Sequence, residues 1–301
     1  MDQLVIEKIM PISECIFGRI FMQEISTWQT DVKTLGKYKK HVNVLRTIYE
    51  EENNHDLSAL NKLVDSILVE LDNEYHVLAY INLINQLEEG LYIHSINVAF
   101  LSLILGRWIG YNEDQLRELV LAALLHDVGK MSLPSHISDK DEEDMNFMEK
   151  LEYRKHTIYS YEKLVHYNEV NVAVLKGVLS HHERFDGSGY PLGIREERIN
   201  DIARIIAIAD EYDSLKKRYN IFELGTRLDD TMMQKYDVNL INTFCNHISN
   251  YYVGCSVVLN TGEVGKVVLI QPKAWGRPIV HVKGKDINLN EKPHLRIVKV
   301  I

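Results

Sequence analysis

Cysteine is scarce in this 301-residue chain: Cys15, Cys245 and Cys255 are odd in number and far apart, which argues against a disulfide framework. They read as small buried hydrophobes of a protein from a reducing compartment. Long apolar runs are lacking too. The longest, Val98–Leu105 and Leu119–Leu125, fall well short of the roughly 20 residues that cross a bilayer. Asp2, Glu7 and Lys8 interrupt the apolar pattern of the first residues, so these do not read as a secretion signal. A cytoplasmic protein without membrane insertion is the expectation. Positive charge is in deficit, with 34 Lys and Arg against 43 Asp and Glu, and a net charge of −9 disfavours general affinity for DNA. No internal repeat is visible. What is present is an ordinary globular composition, 46% hydrophobic and 26% charged, over a length that can bury a full core.

The apolar pattern divides the chain into three parts. Residues 1 to about 36 alternate loosely (Leu4, Ile6, Ile9, Ile12, Ile16, Ile20) around Pro11 and Gly18, which suits short strands or irregular structure. From Lys37 to Leu71 the spacing of Val44, Leu45, Ile48, Leu57, Leu60, Val64 and Ile67 is helical, with a polar break at Glu50–Asn54 and Asp56 as a candidate N-cap. Residues 1–75 are therefore expected to form a short N-terminal mixed module. Residues 76–250 read as a succession of helices: Tyr92–Trp108, Glu113–His126 stopped by Gly129, a charged Glu142–Tyr167, Val170–His181, Ile202–Asp213 and Asp237–Tyr252. After Tyr251, β-branched runs alternate with turns at Asn260–Gly262, Pro272 and Lys283–Lys285, so residues 251–301 are expected to form a small barrel of four or five strands. This last segment is basic, with eight Lys or Arg against three Asp or Glu, and is expected to dock on the acidic body. The fold class is mainly α.

Histidine carries the chemistry. His126-Asp127 ends a buried apolar helix, where an aspartate is costly unless paired or metal-bound. Alone, the doublet could be satisfied by His126 pairing with Asp127, or by Lys130. It is not alone: His94 lies on the preceding apolar helix, His181-His182-Glu183 ends another, and Asp210 ends the run Ile205–Ala209. Polar groups at the inner edges of several apolar helices are what a metal site in a helical bundle requires.

These stretches, His94-Ser95-Ile96-Asn97-Val98-Ala99, Ala122–Lys130, His181–Pro191 and Ile205–Leu215, resemble the HD-GYP phosphodiesterases, a branch of the HD metal-dependent phosphohydrolases. The resemblance spans about residues 75–250. It implies one metal held by His94, His126, Asp127 and Asp210, and a second held by Asp127 as bridge with His156, His181 and His182. His156 enters through the resemblance alone, since Lys155-His156-Thr157 lies on a charged helix. Mixed imidazole and carboxylate ligation suits iron or manganese. Such a pair lowers the pKa of a shared water, so that hydroxide can attack phosphorus. The resemblance further implies that Lys130 contacts a phosphate oxygen, that Gly189, Tyr190 and Pro191 border the substrate cleft, and that Asp213 orients a ligand histidine. Lys130 has a simpler competing role as a solvated cation near a helix C-terminus, and the glycine-rich loop as a turn that only closes the fold.

Three departures bear on substrate. Members with a third metal carry an acid four positions before the first histidine, where this chain has Gly90, with Glu88 and Glu89 facing elsewhere; two metals are therefore expected. The family's Arg-Pro-Tyr segment is replaced by Ser214–Asn220, which leaves Arg218 as the candidate phosphate or guanine contact. Lys140–Asp144 replaces a Lys-Pro-Gly-type turn with acids that would repel an anion if they face the cleft. The expected function is hydrolysis of cyclic di-GMP to linear pGpG and on to GMP. The alternatives are the same chemistry on another nucleotide, or a catalytically weak scaffold that binds a cyclic dinucleotide or a protein partner. Residues 1–75 are the expected place for such a partner.

Overall fold

The computed structural model describes residues 28–50, 57–70, 81, 90–138, 140 and 142–301. The strand-or-coil expectation for residues 1–27 and the Asp56 cap lie outside these, as do Glu88 and Glu89. Two helices come first, α1 (Trp28–Glu50) and α2 (Ser58–Glu70). Trp28–Gly36, expected to be irregular, is the first part of α1. No proline interrupts α1, and Gly36 costs a helix only about 1 kcal/mol. Tyr38, Val42, Leu45 and Tyr49 form its buried stripe, so tertiary packing outweighs weak local propensity.

The central helices are α3 (Leu91–Trp108) and α4 (Glu113–Leu125). α3 is apolar on nearly all sides and long enough by composition to cross a membrane, with 78% of it buried inside the molecule. Close approach of the pair requires Gly106, where a Cβ would meet Leu119 Cδ2 at 2.8 Å and Leu116 Cδ2 at 2.9 Å. Asn112 starts α4 through a capping box with Gln115. A 3₁₀ turn, Val128–Ser132, follows α4.

The single charged helix expected over Glu142–Tyr167 is two, α5 (Phe147–Tyr153) and α6 (His156–Leu164). Asn146 caps α5 by accepting from the amides of Met148 and Glu149. α5 buries nothing, whereas the bend at Arg154–Lys155 turns His156, Thr157, Ser160 and Leu164 of α6 inward. The remaining helices are α7 (Val172–Ser180), α8 (Asp201–Lys216), α9 (Ile221–Lys235) and α10 (Val238–Asn250). Side chains of Asn171, Asn200 and Asp237 cap α7, α8 and α10.

The C-terminal part is an open five-stranded antiparallel sheet, not a barrel. Its strands are β1 (Ser256–Leu259), β2 (Val264–Leu269), β3 (Ile279–Val282), β4 (Lys285–Asn288) and β5 (Ile297–Val300), in the order β4-β3-β2-β1-β5. Closure would require β4 and β5 to pair, and they lie at opposite edges. Lys283 and Gly284, with φ of 47° and 80°, form the two-residue β3–β4 turn that the sequence indicates. The loop between β2 and β3 meets the helices at two places. Gly225 and Gly276 touch backbone to backbone, and the Trp275 indole N–H donates to Asn246 Oδ1 at 2.8 Å. The cysteines divide: Cys245 is a free buried thiol, whereas Cys255 is disulfide-bonded, contrary to expectation for that residue.

Buried side chains from α1 through β5 make one continuous hydrophobic cluster, so α1 and α2 share a core with the central helices. Tyr49 fastens them. Its buried hydroxyl donates to the Leu124 carbonyl at 2.7 Å and lies 3.1 Å from Ser95 Oγ. Tyr49→Phe is expected to cost about 1–3 kcal/mol, the range for leaving a buried acceptor unpaired, read as a lower midpoint in chemical denaturation.

Candidate metal centre

Each side chain of the cluster is delivered by the end or inner face of a packed helix. His94 lies on the first full turn of α3, His126 and Asp127 follow α4, His156 begins α6, His181 and His182 follow α7, and Asp210 and Asp213 lie on the inner face of α8. Three of the histidines are held in the same way. The Nδ1–H of His126, His156 and His181 donates to the carbonyl three residues earlier (Ala123, Tyr153 and Val178), each at 2.7 Å. This fixes the tautomer and leaves each Nε2 lone pair facing inward. His94 Nδ1–H donates instead to Asp213 Oδ2 at 2.8 Å.

Asp127 lies between two groups. Its Oδ2 faces His94 Nε2 at 3.7 Å, His126 Nε2 at 3.4 Å and Lys130 Nζ at 2.6 Å. Its Oδ1 faces His156 Nε2 at 3.4 Å and His181 Nε2 at 3.8 Å. Asp210 Oδ1 is 3.0 Å from His94 Nε2, and its Oδ2 is 3.9 Å from His182 Nδ1. Two overlapping donor sets result: His94, His126 and Asp127, and then Asp127, His156, His181 and His182.

A cation fits this cluster. His126 Nε2 and Asp127 Oδ1 are buried without a hydrogen-bond partner, and Asp127 Oδ2 meets only the Lys130 ammonium, a costly arrangement unless further positive charge is shared among them. Burial alone would raise the Asp127 carboxyl, but His126 and Lys130 hold it well below the usual carboxylate range. Asp210, also raised by burial, is held low by His94 and His182. Burial drives three of the imidazoles toward neutrality. His156 is pushed down to about 4, and His181 and His182 are lowered by burial and by their histidine neighbours. These rings are therefore ready to donate lone pairs well below neutral pH.

His94 is the exception. Burial would lower its pKa, but hydrogen bonds to Asp210 and Asp213 raise it to about 9. The metal-free protein therefore gains stability from this ring, fully present below about 6.5 and lost as pH rises through about 9. Cation binding must expel the same proton, so affinity at this position is expected to rise about tenfold per pH unit between pH 7 and 9. Titrations with Mn²⁺ at several pH values measure that slope, and a flat profile contradicts it.

The shape of the bend after Asp127 depends on Ser160 and Gly129. Ser160 Oγ accepts from Gly129 N at 2.7 Å and donates to the His126 carbonyl at 2.9 Å. α4 ends at Leu125, so Gly129 does not terminate it as expected. A Cβ on Gly129 would lie 2.1 Å from the His156 carbonyl oxygen, and that close approach is the reason for glycine.

The loop after His182 is held mainly by the protein itself. Gly189 approaches the backbone of His182–Arg184, Gly187 has φ of 78°, and Glu183 Oε1 accepts from the amides of Leu192 and Gly193. Tyr190 and Pro191 are joined by a cis peptide bond. The Tyr190 ring stacks on His182 with centroids 4.7 Å apart, and the Arg154 guanidinium lies 5.0 Å from that ring. Burial, then Tyr153 and Glu142, raise the Tyr190 hydroxyl, so the acid of the altered 140–144 segment acts on this ring. Lys130 is engaged by Asp127 and lies over the Tyr153 ring at 5.2 Å. Arg218 is exposed in the turn after α8, two residues beyond its end. Sequence reasoning gave no role to Tyr153, Arg154, Ser160 or Asn97. Asn97 and Asp213 follow His94 and Asp210 by three residues each, and that shared spacing was the available signal.

The fold and site together define a helical protein that encloses a histidine–aspartate cluster able to hold metal. The chain belongs to the HD domain family, whose model matches residues 79–237. It is 31% identical over 219 residues to a cyclic di-GMP phosphodiesterase of Pseudomonas aeruginosa, covering 71% of this chain and 52% of that protein. It is 32% identical over 220 residues to a cyclic di-GMP phosphodiesterase of Borreliella burgdorferi, covering 68% and 56%. A 3′3′-cGAMP-specific phosphodiesterase of Vibrio cholerae is 35% identical over 135 residues, covering 44% of this chain and 31% of that one. The chain thus spans about half the length of the first two relatives. Among solved structures, an HDG"Y"P protein from Bdellovibrio bacteriovorus shares the fold, with a TM-score of 0.58 at 20% identity over 70% of each chain.

Proposed function

We propose that this chain is a metal-dependent phosphodiesterase that opens cyclic di-GMP to linear pGpG, with GMP following from a second cut. The observation that carries this reading is Asp127, whose two buried oxygens face two separate sets of imidazoles. In this reading His94, His126, Asp127 and Asp210 hold one ion, and Asp127, His156, His181 and His182 hold the other. Iron or manganese suits that donor set. Two such ions supply an activated water and neutralise charge on the phosphate.

The chain's own residues fix the geometry around them. The backbone carbonyls of Ala123, Tyr153 and Val178 hold three rings in one tautomer, and Asp213 holds the fourth. Lys130 is the cation nearest Asp127 and would exchange that carboxylate for a phosphate oxygen. Tyr190, stacked on His182, offers a face for a base, with Gly189 and Pro191 setting its place in the loop. Arg154 stands over the same ring and is better placed for that contact than Arg218. Residues 76–250 form the catalytic part in this reading, flanked by residues 1–75 and 251–301.

A second reading keeps the chemistry and changes the substrate to 3′3′-cGAMP. It is favoured by the Vibrio relative and by Glu142 acting on Tyr190, where the family has a Lys-Pro-Gly-type turn. The test presents Mn²⁺-loaded protein with each cyclic dinucleotide separately and identifies products by chromatography. Linear pGpG from cyclic di-GMP at the higher kcat/KM supports the first reading, and faster cleavage of cGAMP supports the second. Binding of either without cleavage, at full metal occupancy, leaves only the scaffold.

A further inference from the structure

α1 lies upstream of the family match, which begins at residue 79. An unbroken chain of hydrogen bonds nevertheless runs from it to the cluster. The Tyr38 hydroxyl donates to Asn97 Oδ1 at 2.8 Å, Asn97 Nδ2 donates to Asp213 Oδ1 at 2.9 Å, and Asp213 Oδ2 accepts from His94 Nδ1 at 2.8 Å. His94 Nε2, at the far end, faces Asp210 and Asp127. Tyr38, Asn97 and Asp213 are buried, with exposures of 4%, 0% and 0%.

Each link fixes the next. A carboxylate only accepts, so Asn97 must present its NH₂ to Asp213. That orientation leaves Asn97 Oδ1 for Tyr38, whose hydroxyl must then donate. Without that hydroxyl, Asn97 Oδ1 loses the Tyr38 donor that holds its amide plane, although the carboxylate still selects the NH₂ end. Asp213 is then held less firmly in its aim at His94. Tyr38 also lies 3.3 Å from the carbonyl of Ile93, and its ring stacks on Phe100 of α3. Tyr49, three turns along the same helix, fastens Ser95 and Leu124, neighbours of His94 and His126.

We propose that Tyr38 is a positioning residue for the His94 metal position, so that α1 sets cation affinity there. A displacement of α1 by whatever residues 1–75 bind would then be read as a change in occupancy at one of the two positions. This inference rests on the metal reading of the cluster.

The test is a Mn²⁺ titration of the full chain, resolving stoichiometry and the affinity of each position, alongside melting of the metal-free proteins. Tyr38→Phe keeps the ring on Phe100 and removes only the hydroxyl. It is expected to weaken one position about tenfold, the lower end for partners of a ligand histidine, while the other stays within twofold. His94→Ala should abolish that same position. Asn97→Leu, which cuts the chain one link nearer the site, should weaken it at least as much. Tyr38→Phe added to Asn97→Leu should then change affinity less than twofold, because the path is already broken. A general packing role predicts instead a lower melting temperature without selectivity between positions. Tyr38→Phe protein with two wild-type affinities, or with both positions weakened equally, overturns the inference while leaving the metal reading in place. Wild-type protein that binds no Mn²⁺ overturns both.

Discussion

Asp127→Asn is expected to abolish turnover, with kcat at least about a hundredfold lower, and to reduce bound metal from two equivalents to one or none. The expectation follows from the two faces of this carboxylate. Oδ2 serves the His94 and His126 side, while Oδ1 serves the His156 and His181 side. An asparagine can turn its oxygen to only one of them and must present an amide to the other, where imidazole lone pairs and a cation compete for the same space. Losing the charge stabilisation that a metal pair provides is worth several kcal/mol, or about a hundred- to a thousandfold in rate. The substitution is nearly isosteric and removes a buried charge, so circular dichroism should show the helices intact. Wild-type rates in this variant would mean that the cluster is not where the reaction occurs.

Gly129→Ala should have the largest effect on stability of any single methyl group added near the site. The new Cβ would stand 2.1 Å from the His156 carbonyl oxygen and 2.4 Å from Ser160 N, both backbone atoms that cannot rotate aside. Overpacking costs about 1–3 kcal/mol and occasionally more, and a clash with the backbone belongs at the upper end. Relief requires α6 to move, which carries His156 away from Asp127 and breaks the Ser160 contacts to Gly129 and His126. Chemical denaturation and metal content should therefore fall together. Gly36→Ala is the control. Nothing lies within 4 Å of its Cβ position, so stability should hold or rise by up to about 1 kcal/mol. Equal effects of the two substitutions would contradict the steric account.

How far the fold could be read from sequence depended on how an element is stabilised. Helices with a continuous apolar face, such as Leu91–Trp108 and the capped Glu113–Leu125, were legible to within a residue or two. The break between α5 and α6 was not, because its cause is the pull of His156 into the core against a helix that buries nothing, a tertiary effect. Trp28–Gly36 joined α1 for a similar reason. That four or five short strands lie here was legible from β-branched runs and turns, but whether a sheet closes depends on which edges meet, and that leaves no mark in local pattern.

The site followed the same division. Six of the seven side chains were visible as polar groups at the edges of apolar helices, and the structure brings all seven together. His156 alone had no local signature, since its neighbours are charged. The supporting groups were largely hidden. Ser160, Arg154 and Tyr38 reach the site through packing between distant segments, with no motif to mark them. Gly129 was legible as a special position, but its reason is close approach and not helix termination.

Metal content is the most direct measurement of the central claim. Protein purified free of metal and then loaded anaerobically with Fe²⁺ or Mn²⁺ should bind two equivalents per chain, and His156→Ala should retain one. Folded protein that takes up neither ion would leave the buried carboxylate and imidazoles without the cation that the account requires.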